Sequence, residues 1–96
     1  MIEAQLQDAV IGLCKYLGVA WYHPYFSRRS VPGWPDLALC GTHGFILREL
    51  KTERGRLTAE QEKWGHLLSV AGQDWDVWRP ADLTSGRVLR ELQAIR

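Results

Sequence analysis

The runs Pro35-Asp-Leu-Ala-Leu-Cys40 and Phe45-Ile-Leu-Arg-Glu-Leu-Lys51 flank Gly41-Thr42-His43-Gly44. Two short strand-like runs joined by a glycine-bounded turn predict an antiparallel hairpin. A four-residue turn pairs Cys40 with Phe45, and counting back along both strands from that pair puts Asp36 directly opposite Glu49. Side chains so opposed have Cβ atoms about 4.5–5.5 Å apart, and like charges there repel. Glu49 and Lys51, two residues apart, share a face of their strand, with Phe45 and Leu47 further along it towards the core. Two carboxylates and an ammonium therefore converge on one patch. A divalent cation such as Mg2+ or Mn2+, held by carboxylates and water, would offset the repulsion. A blander arrangement makes Asp36 a turn residue and Glu49–Lys51 a solvated pair on an edge strand. It accounts for each acid singly but not for their common register with Lys51.

Outward from the hairpin, Ile2, Leu6, Ala9, Val10, Leu13, Cys14 and Leu17 recur at helical spacing until Gly18, which predicts a helix from about Ile2 to Leu17. Val19 to Phe26 is aromatic and β-branched, a strand that Pro24 confines to an edge or a bulge. The charged stretch Thr52 to Arg56 leads to Thr58-Ala59-Glu60-Gln61, a capping box that opens a helix. Trp64, Leu67, Leu68 and Ala71 line one side of that helix and Gly72 stops it. Trp75 to Arg79 reads as a short strand ended by Pro80. Val88, Leu89, Leu92 and Ile95 mark a last helix capped by Ser85. The order α-β-β-β-α-β-α predicts an α/β fold, a small mixed sheet flanked by helices.

The chain of 96 residues has 12 basic and 11 acidic side chains, so a nucleic-acid partner would have to meet a local basic surface rather than a globally basic protein. Its length fits one domain over residues 1–96. No apolar run approaches the ~20 residues of a membrane span, and no secretory pattern opens the chain, which predicts a cytoplasmic protein. Two cysteines make no disulfide framework, and Cys14 on the apolar stripe reads as a small buried hydrophobe. Most of the five tryptophans are expected in the core. The spacings of His23, His43, His66 and the cysteines match no compact zinc pattern, and no glycine-rich phosphate loop or nucleophile elbow is present.

Further candidates flank the acidic patch. Glu3 lies seven residues before Val10, at or near the apolar stripe, where a carboxylate is costly unless paired or bound to metal. As a helix-start glutamate it also suits the positive dipole end. Gln61 occupies the capping-box position, yet its spacing to Trp64 and Leu68 points it at the packed face, so it can cap, reach the site, or do both at different times. Arg28, Arg29 and Ser30 precede the patch and Arg54, Arg56 and Lys63 follow it, which suggests phosphate as the ligand.

Gly33-Trp34-Pro35-Asp36-Leu37 followed by Glu49-Leu50-Lys51 resembles the PD-(D/E)xK nuclease superfamily. Gly55-Arg56-Leu57-Thr58, Gln61, Trp64 and the leading Glu3 narrow the resemblance, over about Glu3 to Arg79, to the virus-type replication-repair nucleases, the VRR-NUC group. The resemblance implies a restriction-endonuclease-like α-β-β-β-α-β core. It implies that Asp36, Glu49 and the main-chain carbonyl of Leu50 hold the metal, with Glu3 a further acid. Lys51 would be the catalytic lysine and Gln61 a supporting glutamine on the following helix, and Ser30 would match a serine that related junction resolvases place before the aspartate. It further implies a homodimer acting on branched DNA in recombination and repair, in a bacterial or phage-infected cell, without a small-molecule cofactor.

The chemistry expected of these residues is metal-assisted phosphodiester hydrolysis. An ion between Asp36 and Glu49 would make a bound water more acidic and neutralise the phosphate. Lys51 would stabilise charge developing on the phosphoryl oxygens. The alternatives are a non-catalytic nucleic-acid-binding module using the arginines and exposed aromatics, or an α/β protein-interaction domain. The last helix and the segment Trp21 to Phe26 are the candidate dimer surfaces.

Overall fold

A computed structural model describes residues 1–24 and 31–96. The order is α1 (Glu3–Leu17), β1 (Ala20–Tyr22), β2 (Leu37–Gly41), β3 (Gly44–Leu50), α2 (Ala59–Val70), β4 (Asp74–Trp78), α3 (Pro80–Thr84) and α4 (Arg87–Ile95). The four strands form one mixed sheet in sequence order, with β1–β2 and β2–β3 antiparallel and β3–β4 parallel. The α/β class and the helix-flanked mixed sheet are as the sequence predicts. Among the described residues no helix is long and apolar enough to cross a membrane.

The hairpin register is the one counted from the sequence: Cys40 pairs with Phe45 and Leu37 with Arg48. The turn is tighter than expected, because Gly41 and Gly44 also pair and leave only Thr42 and His43 outside the ladder. β3 is paired along both edges, and from Ile46 to Leu50 five consecutive residues are buried, so this part of the strand is covered on both faces. On one face the core joins Leu6, Val10 and Cys14 of α1, Val88, Leu92 and Ile95 of α4, and Leu37, Leu39, Ile46, Leu50 and Trp78 of the sheet. Cys14 is fully buried there, and burial pushes its thiol up to about 11.

Arg48 faces this same core yet is only 3 % exposed. Its guanidinium donates to Glu91 at 2.9 Å and to the carbonyls of Leu47 and Asp74, and it also pairs with the Asp74 carboxylate at 2.9 Å. Glu91 also accepts from the Trp78 indole and from Arg87, which reaches Asp76 and Asp82 as well. These donors hold the Glu91 carboxyl below its usual range against the desolvation that opposes them. The buried charge is tolerated because its donors are satisfied.

α2 covers only the β4 side of the opposite face. Gly65 lets it lie flat on Trp75, since a Cβ there would sit 2.5 Å from the indole ring. β1 is a short edge strand whose Trp21 and Tyr22 stay exposed, with Lys15 over the Trp21 ring.

Several expectations are corrected. β1 ends at Tyr22 rather than reaching Phe26, and residues 25–30 lie outside the described residues. Phe45 is 46 % exposed, because α2 leaves that part of the sheet open. Of the five tryptophans only Trp78 is fully buried, the small core being filled by leucines. Pro80 does not merely stop β4. It sits at the first position of α3, where its missing N–H costs nothing. Ser85 closes α3, and Gly86 in a left-handed conformation caps α4, although the Ser85 hydroxyl still accepts from Arg87 N–H at 3.3 Å.

Candidate active site

Asp36 immediately precedes β2, one step beyond the Leu37–Arg48 pair, and therefore stands across from Glu49. Its carboxylate does the work of a missing strand residue: Oδ2 accepts the Leu50 N–H at 2.8 Å. The main chain of Asp36 is fixed too, since its carbonyl accepts from His23 Nδ1 at 2.9 Å. That bond puts the ring proton on Nδ1, because a carbonyl cannot donate.

Glu49 is completely buried. Its Oε1 accepts from Gln61 Nε2 at 3.0 Å, while among the described residues none donates to Oε2. Burial is the largest cause that pushes the Glu49 acid up to about 9, followed by the hydrogen bond and repulsion from Asp36. The Lys51 ammonium opposes the rise, and Glu3 adds a weaker repulsion. With both acids ionised, neither can donate to the other. With Glu49 protonated, its O–H can donate to Asp36.

Gln61 caps α2 and reaches the site at the same time. Its Oε1 accepts the Thr58 N–H at 2.9 Å, its own N–H donates to the Thr58 hydroxyl at 3.1 Å, and its amide nitrogen is left to hold Glu49. Lys51 is half-buried and continues the Glu49 face. Glu3 is exposed in the first turn of α1, at the end of the apolar stripe, and acts on the site through its repulsion of Glu49. Among the described residues no group of three or more His, Cys, Asp and Glu side chains could hold one ion. The pair Asp36–Glu49 thus stands as a two-carboxylate set.

The chain matches no protein-family model, no curated protein and no solved structure. A small hard cation is commonly held by one or two carboxylates with waters and substrate phosphate completing the shell, and an orphaned buried carboxylate oxygen facing a second carboxylate fits that demand.

Arg54, Arg56 and Lys63 are exposed, the first two on the segment between Lys51 and α2. Arg28, Arg29 and Ser30 lie outside the described residues. Two residues that the sequence did not single out shape the arginine segment. Arg79 donates to the carbonyls of Thr52 at 2.6 Å and Gly55 at 2.7 Å, and the Glu53 carboxylate accepts from Ala81 N–H at the start of α3. The pinned segment borders a cavity of about 530 Å3 lined by Arg54, Arg56 and Arg79 together with Glu53 and Glu62. No local pattern marks Arg79, because its partners are main-chain oxygens more than twenty residues earlier. His23 escaped for a similar reason: the sequence weighs it only as a zinc ligand, whereas its partner is a carbonyl.

Proposed function

We propose that this chain is a divalent-metal-dependent, structure-selective DNA endonuclease that hydrolyses phosphodiester bonds in four-way junctions or other branched DNA. Its architecture would be restriction-endonuclease-like, of the VRR-NUC type that the sequence resembles, acting as a homodimer with Mg2+ or Mn2+. The observation that carries this reading is the opposition of Asp36 to a fully buried Glu49, one of whose oxygens receives no donor among the described residues. A module that only binds nucleic acid has no use for such a pair, since it repels the phosphate backbone and destabilises the fold.

Asp36 and Glu49 would hold the ion, with the main-chain carbonyl of Leu50 a further ligand and Glu3 contributing negative charge from α1. A bound divalent ion would supply neutralisation of the scissile phosphate and a more acidic water. Gln61 orients Glu49, and the Leu50 N–H and His23 orient Asp36. Lys51 would sit beside the transferring phosphoryl oxygens and stabilise their growing charge. Arg54, Arg56 and Lys63 would pair with backbone phosphates on either side, joined by Arg28, Arg29 and Ser30. For the dimer, the apolar side of α4 is already used within the core, so the surface that remains is the exposed edge strand with Trp21 and Tyr22.

Incubation of the purified chain with a labelled four-way junction and Mn2+ tests the reading. Cutting by the wild type and its loss in Asp36→Ala and Lys51→Ala is expected. Undiminished cutting by either variant overturns the assigned site.

A further inference from the structure

Trp34 is a large apolar side chain held in water beside the candidate site. It is 40 % exposed, whereas Pro35 is buried, Asp36 half-buried and Leu37 buried. Trp34 lies two residues before Asp36, at most about 7 Å of backbone away. The ring is not loose. Gly33, at φ +87°, lies so close to the Glu60 backbone that a Cβ would be 2.4 Å from its carbonyl carbon. The Trp64 indole donates to the Pro32 carbonyl at 3.1 Å, and the Trp34 and Trp64 rings meet at 83° with centroids 5.0 Å apart. The platform is thus tied to the first turn of α2, where Gln61 holds Glu49.

Perpendicular rings cover at most one face of each other, so at least one face of Trp34 is not covered by Trp64. A groove of about 280 Å3 on the Trp64 side, lined by Val31, Pro32, Glu60, Lys63, Trp64 and Leu67, continues the apolar surface, with Lys63 and Glu60 at its wall. In continuous duplex each base has both faces stacked on its neighbours. Only a base freed from its stack, at a branch, a flap or a single strand, can lie on an indole.

We propose that Trp34 is a stacking platform for an unpaired nucleobase adjacent to the phosphate held at Asp36 and Glu49, and that it selects branched or single-stranded DNA over continuous duplex. The proposal rests on the nuclease reading and adds to it the chemical feature of DNA that the site recognises.

The test uses the full chain and two DNAs in Ca2+, a hard oxygen-liganded ion in place of Mg2+. One is a duplex whose short flap carries 2-aminopurine at its first unpaired position. The other is an unbroken duplex of equal length. Wild-type binding is expected to quench the 2-aminopurine. Trp34→Ala is expected to lose the quench and roughly ten-fold or more in affinity for the flapped DNA, the cost of removing a stacking partner, with duplex affinity unchanged. Trp34→Phe keeps most of both, and together with the wild-type quench it stands as the test if the alanine variant does not fold. Absence of quenching by wild type, or an alanine variant that loses affinity for both DNAs equally or for neither, overturns the proposal. A wild type that cuts DNA without quenching defeats the stacking platform alone. A wild type that neither binds nor cuts any DNA defeats the nuclease reading as well.

Discussion

Gln61 donates to Glu49 at 3.0 Å through one end of an amide whose other end caps α2 on the Thr58 N–H. One side chain therefore couples the start of a helix to the orientation of a buried acid. The two roles separate by mutation. Thr58→Ala removes the hydroxyl cap and is expected to cost about 1 kcal/mol while leaving cleavage near wild type. Gln61→Ala leaves the Thr58 hydroxyl cap in place but removes the bond to the Thr58 N–H and the Glu49 bond together, and is expected to lower single-turnover cleavage about 10–100-fold, as loss of an outer-shell partner does. Thermal melts and single-turnover rates of the two variants check this. Equal activities would show that the Glu49 contact is idle.

Stability of the metal-free protein should fall as pH rises. Glu49 is pushed up from an ordinary 4.5 to about 9, so between those values the folded chain keeps a proton that the unfolded chain has released. The associated stability is present below about 4.5, declines through the window and is gone above about 9. In EDTA the melting midpoint is expected to drop across that range. Mn2+, taking the proton's place between the acids, raises it more at the alkaline end than at the acid end. Glu49→Gln, neutral throughout, should lose this slope. The same slope in wild type and Glu49→Gln would contradict the shared-proton account.

Lys51 and the acids should respond differently to substitution. Lys51→Ala removes a cation that repels a metal ion, so Mn2+ affinity by calorimetry is expected to hold or improve. Cleavage is expected to fall about 10^2–10^3-fold, as when one preorganised charge-stabilising group is removed. Loss of Mn2+ binding in this variant would mean that Lys51 organises the acids rather than the phosphoryl charge.

The central geometry was legible because strand pairing has a fixed period. Once Gly41-Thr42-His43-Gly44 is read as a turn, the opposition of Asp36 and Glu49 and the shared face of Lys51 follow by counting, and a shorter turn preserves the register. The capping box of α2 is equally local, which is why Thr58 and Gln61 stand where the sequence places them. What was not legible depends on contacts distant in sequence. Phe45 continues an apolar pattern, yet whether it is covered depends on how far α2 reaches across the sheet. Arg48 interrupts a leucine-rich strand, and partners distant in sequence, Asp74 and Glu91, 26 and 43 residues later, make its burial tolerable. α3 is too short to carry a helical period of its own.

That Arg48 network offers a control variant. Arg48 and Glu49 are neighbours on β3 and so point to opposite faces, which separates the Glu91 cluster from the candidate site. Glu91→Ala strips the nearly buried guanidinium of its principal carboxylate and is expected to cost about 3 kcal/mol. The single-turnover rate of the protein that remains folded is expected to stay at the wild-type value. Denaturant unfolding alongside the cleavage assay checks both. A rate that falls with stability fully retained would show that the cluster acts on the site.

The claim on which the rest depends is that Asp36 and Glu49 bind one divalent ion between them. Anomalous scattering from a crystal grown with Mn2+ measures it directly. The account predicts a single strong peak within bonding distance of a carboxylate oxygen of each residue, with Lys51 alongside and Gln61 still on Glu49. A Mn2+ peak elsewhere, or none at this pair in crystals of protein that cuts DNA with Mn2+, would contradict it.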